Sequence, residues 1–303
     1  MNLLLIRTGG VGDCILTLPV ASRLRELYPD DRLHVLGNRT MRDVARLAGG
    51  YAGFNSIDKA GFVPLFSGAD PTDFLRSYFS RFDGVWIFTA ADTETVQRKV
   101  TASGALSCHA LDPRLPEGFG GHIAAHLLSI LDESPPEHPS LPQITFDDPP
   151  IRVPYRLLIH PGSGSISKIW PIDRFLSVAE RWAGDAAFLL GPAEEERNIA
   201  KLIPERWETL RCFSIGETAR ELASAGLFLG CDSGVSHLAA LCRTPSVVLF
   251  GPTDPSVWRP LGERTIVLSS ADGFMEGIGV EDVLAALERE HAKKGTASRT
   301  GSR

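Results

Sequence analysis

Short apolar runs recur along the chain and are separated by longer stretches in which apolar residues return at helical spacing. Each run is continuous, as expected of a strand that is buried on both faces of a sheet. Between the first two runs, for example, leucine and valine recur at helical spacing over residues 16–27. This alternation predicts parallel α/β sheets with helices on both faces. The predicted strands are residues 3–6, 33–36, 85–88, 157–159, 186–190, 227–229, 246–250 and 265–268.

Proline is concentrated in residues 132–154, a polar stretch that can sustain neither a helix nor a central strand. We interpret it as a linker that divides the chain into domains 1–150 and 151–290, each opening with a strand that runs into a glycine-bearing turn. Residues 291–303 are predicted to form a disordered tail. The predicted fold class is therefore α/β, with two doubly wound domains whose ligands lie at the carboxyl ends of the strands and in the cleft.

Composition narrows the class of protein further. The 303 residues are 43% hydrophobic and 22% charged, as in folded globular proteins, and a net charge of -6 lacks the basic signature of a nucleic-acid binder. The apolar run at the N-terminus is too short for a signal peptide, and no run approaches the length of a membrane span, so a cytoplasmic location is expected. Five cysteines without a CxxC pair predict buried, reduced thiols and no zinc site.

The first glycine-rich turn follows the first predicted strand and leads to Asp13. Glycine lets the backbone approach a ligand closely, and a helix that begins near Asp13 would direct its N–H groups to that ligand. Asp13 has two interpretations, the N-cap of this helix or a carboxylate that acts as a general base. Pro19 requires the helix to kink or to begin shortly before it. The small residues of the turn are Thr8, Gly9, Gly10 and Gly12.

The second half of the chain opens with a comparable turn at residues 160–165, followed by Lys168. Small hydroxyl side chains and a lysine after a strand suit an anion such as a diphosphate. A solvated loop with a surface lysine explains the same residues, because loops favour these residue types.

Residues 230–240 contain the most specific motif, directly after the predicted strand 227–229. Asp232 or Ser233 can cap a helix whose free N–H groups would bind phosphate without a metal ion. His237 lies about one turn into that helix, where it either packs against the core or contacts the phosphate. In residues 190–197, acidic side chains either complement a helix dipole or bind the hydroxyls of a ribose.

Taken in order, these segments resemble glycosyltransferase family 9, the bacterial ADP-heptose:lipopolysaccharide heptosyltransferases, over nearly the whole chain. The resemblance implies a GT-B architecture, in which two Rossmann-like domains flank a cleft. It also implies an inverting reaction without a metal ion or cofactor, and a nucleotide-sugar donor held by the C-terminal domain. It is carried above all by residues 232–238 and 250–254, and is supported by Gly12, Asp13, residues 160–171 and residues 191–194.

The resemblance also assigns roles to individual residues. Asp13 matches the catalytic base, Lys168 the lysine that binds the diphosphate, and Glu195 the ribose ligand. Ser163 and Phe213 lie near positions that line the nucleotide site. The residues that match the phosphate-binding helix start and its flank are Asp232, Ser233, Gly234, Val235 and His237.

The function that the resemblance implies is transfer of heptose from ADP-heptose to a lipopolysaccharide core or a related cell-surface glycan, with no nucleic-acid partner. The lipid-linked acceptor suggests peripheral contact with the inner face of the cytoplasmic membrane. Aromatic residues spaced through residues 62–82 favour a core stripe, with contact to the acceptor or a membrane as the alternative. Other functions consistent with the motifs are a nucleotide-sugar epimerase or hydrolase of the same fold and a non-catalytic nucleotide-sugar binder.

Overall fold

The computed structural model describes residues 1–131 and 139–297. The chain divides into two compact units, Met1–Thr145 and Phe146–Arg303. Residues 132–138, the first part of the predicted linker, lie outside the described residues, and residues 139–152 have no regular secondary structure. The first strand of the second unit begins at Val153, so it includes the last two residues of the predicted linker. Pro154 is tolerated there because it lies near the start of the strand.

In the described part of the first unit, five parallel strands form a sheet with the order β3-β2-β1-β4-β5. The strands are β1 (Asn2–Arg7), β2 (Arg32–Gly37), β3 (Gly53–Ser56), β4 (Gly84–Phe88) and β5 (Ser107–Leu111). The helices are α1 (Val11–Leu16), α2 (Leu18–Leu27), α3 (Arg39–Ala48), α4 (Asp73–Phe79), α5 (Thr93–Ala102) and α6 (Ile123–Leu128), with 3₁₀ turns at Ala60–Leu65 and Ser129–Leu131.

The described part of the second unit contains six parallel strands with the order β11-β10-β9-β6-β7-β8. The strands are β6 (Val153–His160), β7 (Ala186–Leu190), β8 (Glu208–Arg211), β9 (Ala225–Cys231), β10 (Ser246–Phe250) and β11 (Thr265–Ser269). The helices are α7 (Ile172–Arg181), α8 (Pro192–Glu196), α9 (Ile215–Ser224), α10 (Gly234–Leu241), α11 (Pro255–Trp258) and α12 (Val280–Ala297), with 3₁₀ turns at Ile166–Lys168, Ile199–Leu202 and Met275–Gly277.

Every strand predicted from an apolar run is present, and the strands that the pattern missed are β3, β5 and β8. All of these missed strands lie at the edge of a sheet. Their residues are mostly only partly buried, so they form no continuous apolar run. A strand with one neighbour and a partly solvated face needs fewer apolar side chains than a central strand.

The helical stretch that contains Pro19 is broken into α1 and α2 at Thr17. Pro19 takes the second position of α2. A backbone N–H at this position would have no acceptor within the helix, so proline sacrifices no hydrogen bond there. The aromatic stripe is largely core, since Tyr78 and Phe82 are buried, but Phe74 keeps 42% of its surface exposed.

Helix α12 continues to Ala297, so the predicted start of a disordered tail at residue 291 falls inside a helix. The buried Glu290 carboxylate pairs with Arg264, which holds this part of α12 against the unit, and with Lys293 of the same helix. Residues 298–303 lie outside the described residues.

The cysteines are free thiols, and the predicted burial is found for four of them, whereas Cys242 is half-buried. No helix in residues 1–131 and 139–297 combines the length and the apolar character that crossing a membrane requires.

Candidate functional site

The strand order of each unit fixes where a ligand site can form. In each sheet the first strand of the unit lies in the interior, and the next two strands extend the sheet to one edge. The strand order then reverses, because β4 pairs with the other side of β1 and β9 pairs with the other side of β6. Sheets of this kind leave a crevice at the carboxyl ends of the strands where the order reverses. The glycine-rich turns and the motif at residues 232–238 follow β1, β6 and β9, so each lies at such a reversal.

Asp232 connects three loops of the second unit. Its Oδ2 accepts hydrogen bonds from Lys168 Nζ and from Thr253 Oγ1, each at 2.7 Å. Its backbone carbonyl accepts a hydrogen bond from the buried Ser163 hydroxyl, also at 2.7 Å. Because only 9% of the Asp232 side chain is exposed, its charge depends on these partners for stabilisation. The structure thus brings together Ser163, Lys168 and Asp232 and adds Thr253, which the sequence interpretation did not assign to the site.

Lys168 combines a fixed position with an accessible charge. It ends the 3₁₀ turn Ile166–Lys168, and 29% of its side chain is exposed. Two residues later, Trp170 is fully buried, and its Nε1 donates a hydrogen bond to the Ile278 carbonyl at 3.1 Å. The loop is therefore anchored in the core, while the ammonium group can reach an anion from solvent.

Helix α10 begins just after Asp232 in the chain. Ser233, not Asp232, is the N-cap, and its hydroxyl makes no capping hydrogen bond. The N–H groups of Gly234 and Val235 have no acceptor within the helix, and the positive end of the helix dipole lies here. His237 is buried in the same helix.

The acidic turn after β7 places neighbouring glutamates in different surroundings. Glu194 is buried, accepts a hydrogen bond from the Gly191 N–H at 2.9 Å, and lies 3.5 Å from His160 Nε2. Burial opposes its ionisation, but His160 and Gly191 outweigh that effect and hold the pKa of Glu194 below its ordinary value. Glu195 is partly exposed and accepts a hydrogen bond from Arg211 Nε at 2.7 Å.

Phe213 lies two residues beyond Arg211, at the carboxyl end of β8. Its side chain is 62% exposed, although large aromatic residues usually bury their rings. Its backbone N–H donates to Glu217 Oε2 at 3.0 Å, which fixes the main chain at this point. Glu195 and Phe213 therefore lie at the ends of neighbouring strands, joined through Arg211.

The first unit positions Asp13 through the turn after β1. Gly9 has a φ of +149°, and a Cβ added there would lie 2.7 Å from Asp13 Cβ, so the turn requires glycine. Gly10 is the N-cap of α1, and Asp13 is the third residue of the helix, so the N-cap interpretation of Asp13 is wrong. Its Oδ2 instead accepts a hydrogen bond from the Gly10 N–H at 2.9 Å, and 45% of its side chain is exposed.

Two residues that hold this turn were missed by the sequence interpretation. The buried Arg7 lies with its Nη2 3.4 Å from Asp13 Oδ1 and with its guanidinium 5.7 Å from the centre of the Phe88 ring. Burial lowers the pKa of Arg7, against the opposing effect of Asp13. Asn38 Nδ2 donates to the Gly9 carbonyl at 3.0 Å. A signal for Arg7 did exist, because it is a charged residue that directly follows the apolar run of the strand.

Gly162 is required for close approach of the second turn to Glu194. A Cβ at this position would lie 1.8 Å from Glu194 Oε1. We expect Gly162→Ala to lower the free energy of unfolding by about 1–3 kcal/mol, as overpacking does. Urea unfolding measures the change. Gly164→Ala is the matched control, since a Cβ there meets nothing within 4 Å, and an equal loss in both variants would contradict the explanation.

The pH dependence of stability should reveal the Glu194 contacts. Because the folded pKa of Glu194 lies below its ordinary value of 4.5, its ionisation stabilises the fold above about pH 4.5. That contribution is lost as the pH falls through the folded pKa. Unfolding free energies measured from about pH 6 to about pH 3.5 should therefore decrease less for Glu194→Gln than for the unmodified chain. Parallel curves for the two proteins would argue against this assignment.

In the residues that the structure describes, no group of three or more histidine, cysteine, aspartate or glutamate side chains is arranged to hold a metal ion. Positive groups at the second reversal include Lys168, the start of α10 and Arg197, whose guanidinium donates hydrogen bonds to the Ser163 and Gly164 carbonyls.

Two Rossmann-like units with candidate residues at both strand reversals are typical of the GT-B class of fold. The model of glycosyltransferase family 9 (heptosyltransferase) matches residues 133–284, and the chain belongs to this family. The predicted family is thereby confirmed.

Similar proteins support this assignment. Lipopolysaccharide heptosyltransferase 3 of Escherichia coli K12 is 29% identical over 156 residues, which cover 44% of this chain and 45% of that protein. The chain thus aligns with less than half of this curated relative.

Solved structures match over a larger share of the chain. The E. coli ADP-heptose lipopolysaccharide heptosyltransferase II is 16% identical with a TM-score of 0.76, covering 97% of this chain and 100% of that chain. E. coli heptosyltransferase WaaC, solved with ADP, is 19% identical with a TM-score of 0.68, covering 96% and 100%. At these identities, the likeness shows the fold alone, and it confirms the predicted GT-B fold.

Proposed function

We propose that this chain is an inverting, metal-independent glycosyltransferase that moves heptose from ADP-heptose onto a lipopolysaccharide core or a related cell-surface glycan. The observation that carries this proposal is the hydrogen-bonded arrangement of Lys168, Asp232 and Thr253 at the reversal between β6 and β9, next to the start of α10. The protein would act in the cytoplasm, with peripheral contact at the inner face of the cytoplasmic membrane where the acceptor is lipid-linked.

In the donor half of the reaction, the bond between C1 of the sugar and the diphosphate breaks, and the diphosphate leaves with the electron pair. Lys168 and the N–H groups of Gly234 and Val235 would stabilise the growing negative charge. The Asp232 carboxylate keeps the ammonium group of Lys168 in place before the donor binds. Such preorganisation matters because hydrogen-bonding and charged groups that are already oriented need not rearrange during the reaction.

In the acceptor half, an acceptor hydroxyl attacks C1 from the face opposite the leaving diphosphate, which inverts the configuration. Asp13 would take the proton of that hydroxyl as the new C–O bond forms. The Gly10 N–H and Arg7 fix the orientation of the carboxylate from the protein side. The exposure of Asp13 leaves the carboxylate accessible to a substrate.

The nucleoside would bind at the neighbouring strand ends of the second unit. Glu195 offers a partly exposed carboxylate for the ribose hydroxyls, and Phe213 offers an exposed ring on which a base can stack. Lys168, on the turn after β6, would then hold the diphosphate that follows the ribose.

ADP should stabilise the protein more than UDP or GDP, since the proposed donor is ADP-heptose. A ligand at 100 times its dissociation constant adds about 2.7 kcal/mol to the free energy of unfolding. Thermal unfolding with each nucleotide at the same concentration tests the choice of base. Equal shifts for the three nucleotides would contradict the preference for adenine, and no shift with any of them would remove the support for a nucleotide-sugar donor.

A further inference from the structure

Arg197 is a cation of the second unit that the proposed function does not use. It is the C-cap of α8, and its backbone N–H donates a hydrogen bond to the Ala193 carbonyl at 3.2 Å. Its guanidinium lies against the turn after β6, where it donates hydrogen bonds to the Ser163 carbonyl and, at 3.2 Å, to the Gly164 carbonyl. A single side chain thus connects α8 with the turn that precedes Lys168.

Helix α8 is itself anchored within the second unit. Glu194, in its first turn, is buried, accepts a hydrogen bond from the Gly191 N–H at 2.9 Å and lies 3.5 Å from His160 Nε2. At the other end, Asn198 has a φ of +58°, a left-handed conformation that asparagine tolerates better than most residues, and this ends the helix at Arg197. The guanidinium of Arg197 therefore extends from a well-defined position.

Other contacts connect the turn with the lysine of the proposed donor site. The buried Ser163 hydroxyl donates a hydrogen bond to the Asp232 carbonyl at 2.7 Å. The backbone N–H of Lys168 donates a hydrogen bond to the Ser165 carbonyl at 3.1 Å. A change in the conformation of this turn would therefore also move Lys168.

The contacts of Arg197 determine which way the peptide groups of the turn point. The described residues contain no cis peptide bond. In a planar trans peptide, the carbonyl oxygen and the N–H of the next residue point to opposite sides. Because the carbonyls of Ser163 and Gly164 point to Arg197, the N–H groups of Gly164 and Ser165 point away from it. Successive N–H groups that face the same side form a concave binding site for an anion.

Both of these N–H groups are available to a ligand. In residues 1–131 and 139–297, neither the Gly164 N–H nor the Ser165 N–H donates a hydrogen bond. Both residues are exposed, and a Cβ added to Gly164 would meet nothing within 4 Å. The turn can therefore receive a phosphate group without rearranging the surrounding chain.

The positive charge of Arg197 favours an anion at the same turn. Its acceptors are carbonyl groups, and within the described part of the chain it forms no ion pair. Two acidic side chains of α8 have other partners, since Glu194 lies beside His160 and Glu195 accepts a hydrogen bond from Arg211. A cation without a carboxylate partner raises the local electrostatic potential and attracts a phosphate.

We propose that Arg197 is a positioning residue of the donor site, which directs the N–H groups of Gly164 and Ser165 to the diphosphate of the donor. This inference rests on the proposed function. The two N–H groups bind phosphate oxygens beside Lys168, and Arg197 acts through the turn. The turn thereby adds main-chain donors to those at the start of α10, and both sets stabilise the charge of the leaving diphosphate.

Hydrogen exchange of the backbone amides in the full chain tests this proposal, with ADP as the probe. Saturating ADP should slow exchange at Gly164 and Ser165 in the unmodified chain, because N–H groups that are bonded to phosphate are protected. In Arg197→Gln, at ADP concentrations that again saturate the protein, this protection should be lost. Protection of Gly234 and Val235 at the start of α10 should remain in both proteins and serves as the internal reference.

Calorimetric titration with ADP provides a second measurement. Arg197→Gln should weaken ADP binding by at least about tenfold, the effect of losing one charge-assisted hydrogen bond. Arg197→Lys keeps the charge but lacks the planar fork that bonds to two carbonyls, so it should recover only part of the affinity. Both variants should unfold within a few degrees of the unmodified chain, because Arg197 is exposed.

The matched control is Arg206→Gln, which changes an exposed arginine of the same unit that is paired with Glu180. It should bind ADP as tightly as the unmodified chain does.

Three results would overturn the proposal. ADP could bind without protecting Gly164 and Ser165, the protection could persist in Arg197→Gln, or Arg197→Lys could bind ADP as tightly as the unmodified chain, which would show that only the charge matters. Failure of the proposed function would give a different result, since ADP would then bind neither the unmodified chain nor Arg206→Gln, and this inference would fail with it.

Discussion

Asp13→Asn is expected to lower the rate of sugar transfer by about 10²–10⁴-fold, the usual contribution of a general base, while nucleotide affinity changes by no more than a few fold. An amide cannot accept the proton of the attacking hydroxyl. It can still accept the hydrogen bond from the Gly10 N–H that the carboxylate accepts now, so the turn and the start of α1 should be preserved. Initial rates of nucleoside diphosphate release, with donor and acceptor both saturating, measure the effect.

The control for this substitution is Asp73→Asn, which changes a fully exposed carboxylate at the start of α4. It should leave the rate unchanged. Unaltered turnover in Asp13→Asn, with an unfolding temperature equal to that of the unmodified chain, would remove Asp13 from the mechanism.

Lys168→Met should lower the transfer rate by about 10²–10³-fold, the typical cost of removing one group that stabilises charge in the transition state. It should also destabilise the protein by about 1–3 kcal/mol, because the nearly buried Asp232 carboxylate loses its only cationic partner among the described residues. Transfer rates and urea unfolding of the same preparation measure the two effects.

A second substitution separates the two roles of Lys168. In Lys168→Met/Asp232→Asn, the buried charge is gone, so stability should recover while transfer stays slow. Lys201→Met, a change of an exposed lysine in the same unit, should affect neither quantity. Recovery of transfer in the double variant would show that Lys168 serves only to neutralise Asp232.

The central strands could be predicted from the sequence because burial on two faces leaves continuous apolar runs. β1 and β9 each lie between two neighbouring strands, and their residues are almost entirely buried. The edge strand β8 escaped prediction because it pairs only with β7, and each of its residues is partly or fully exposed. The end of α12 also escaped, because Arg264, one partner of the buried Glu290, lies 26 residues earlier in the chain.

The candidate site could be predicted in part, for a related reason. The sequence motifs marked the loops that carry Lys168 and Asp232, but the two residues are 64 positions apart and meet only because β6 pairs with β9. Thr253 joins them through the next strand, β10, which pairs with β9 in turn. The position of Asp13 within α1, and its contact with Arg7, depend on backbone geometry that spacing alone does not determine.

Release of ADP from ADP-heptose, measured with and without lipopolysaccharide core that lacks heptose, tests the proposed function most directly. The proposal predicts release that requires the acceptor, together with an acceptor product whose mass has increased by one heptose unit. Lys168→Met and Asp13→Asn should each suppress both signals. ADP release at the same rate without acceptor would identify a hydrolase, and tight ADP-heptose binding without turnover on any acceptor would identify a non-catalytic binder. Either result would contradict the assignment of this chain as a heptosyltransferase.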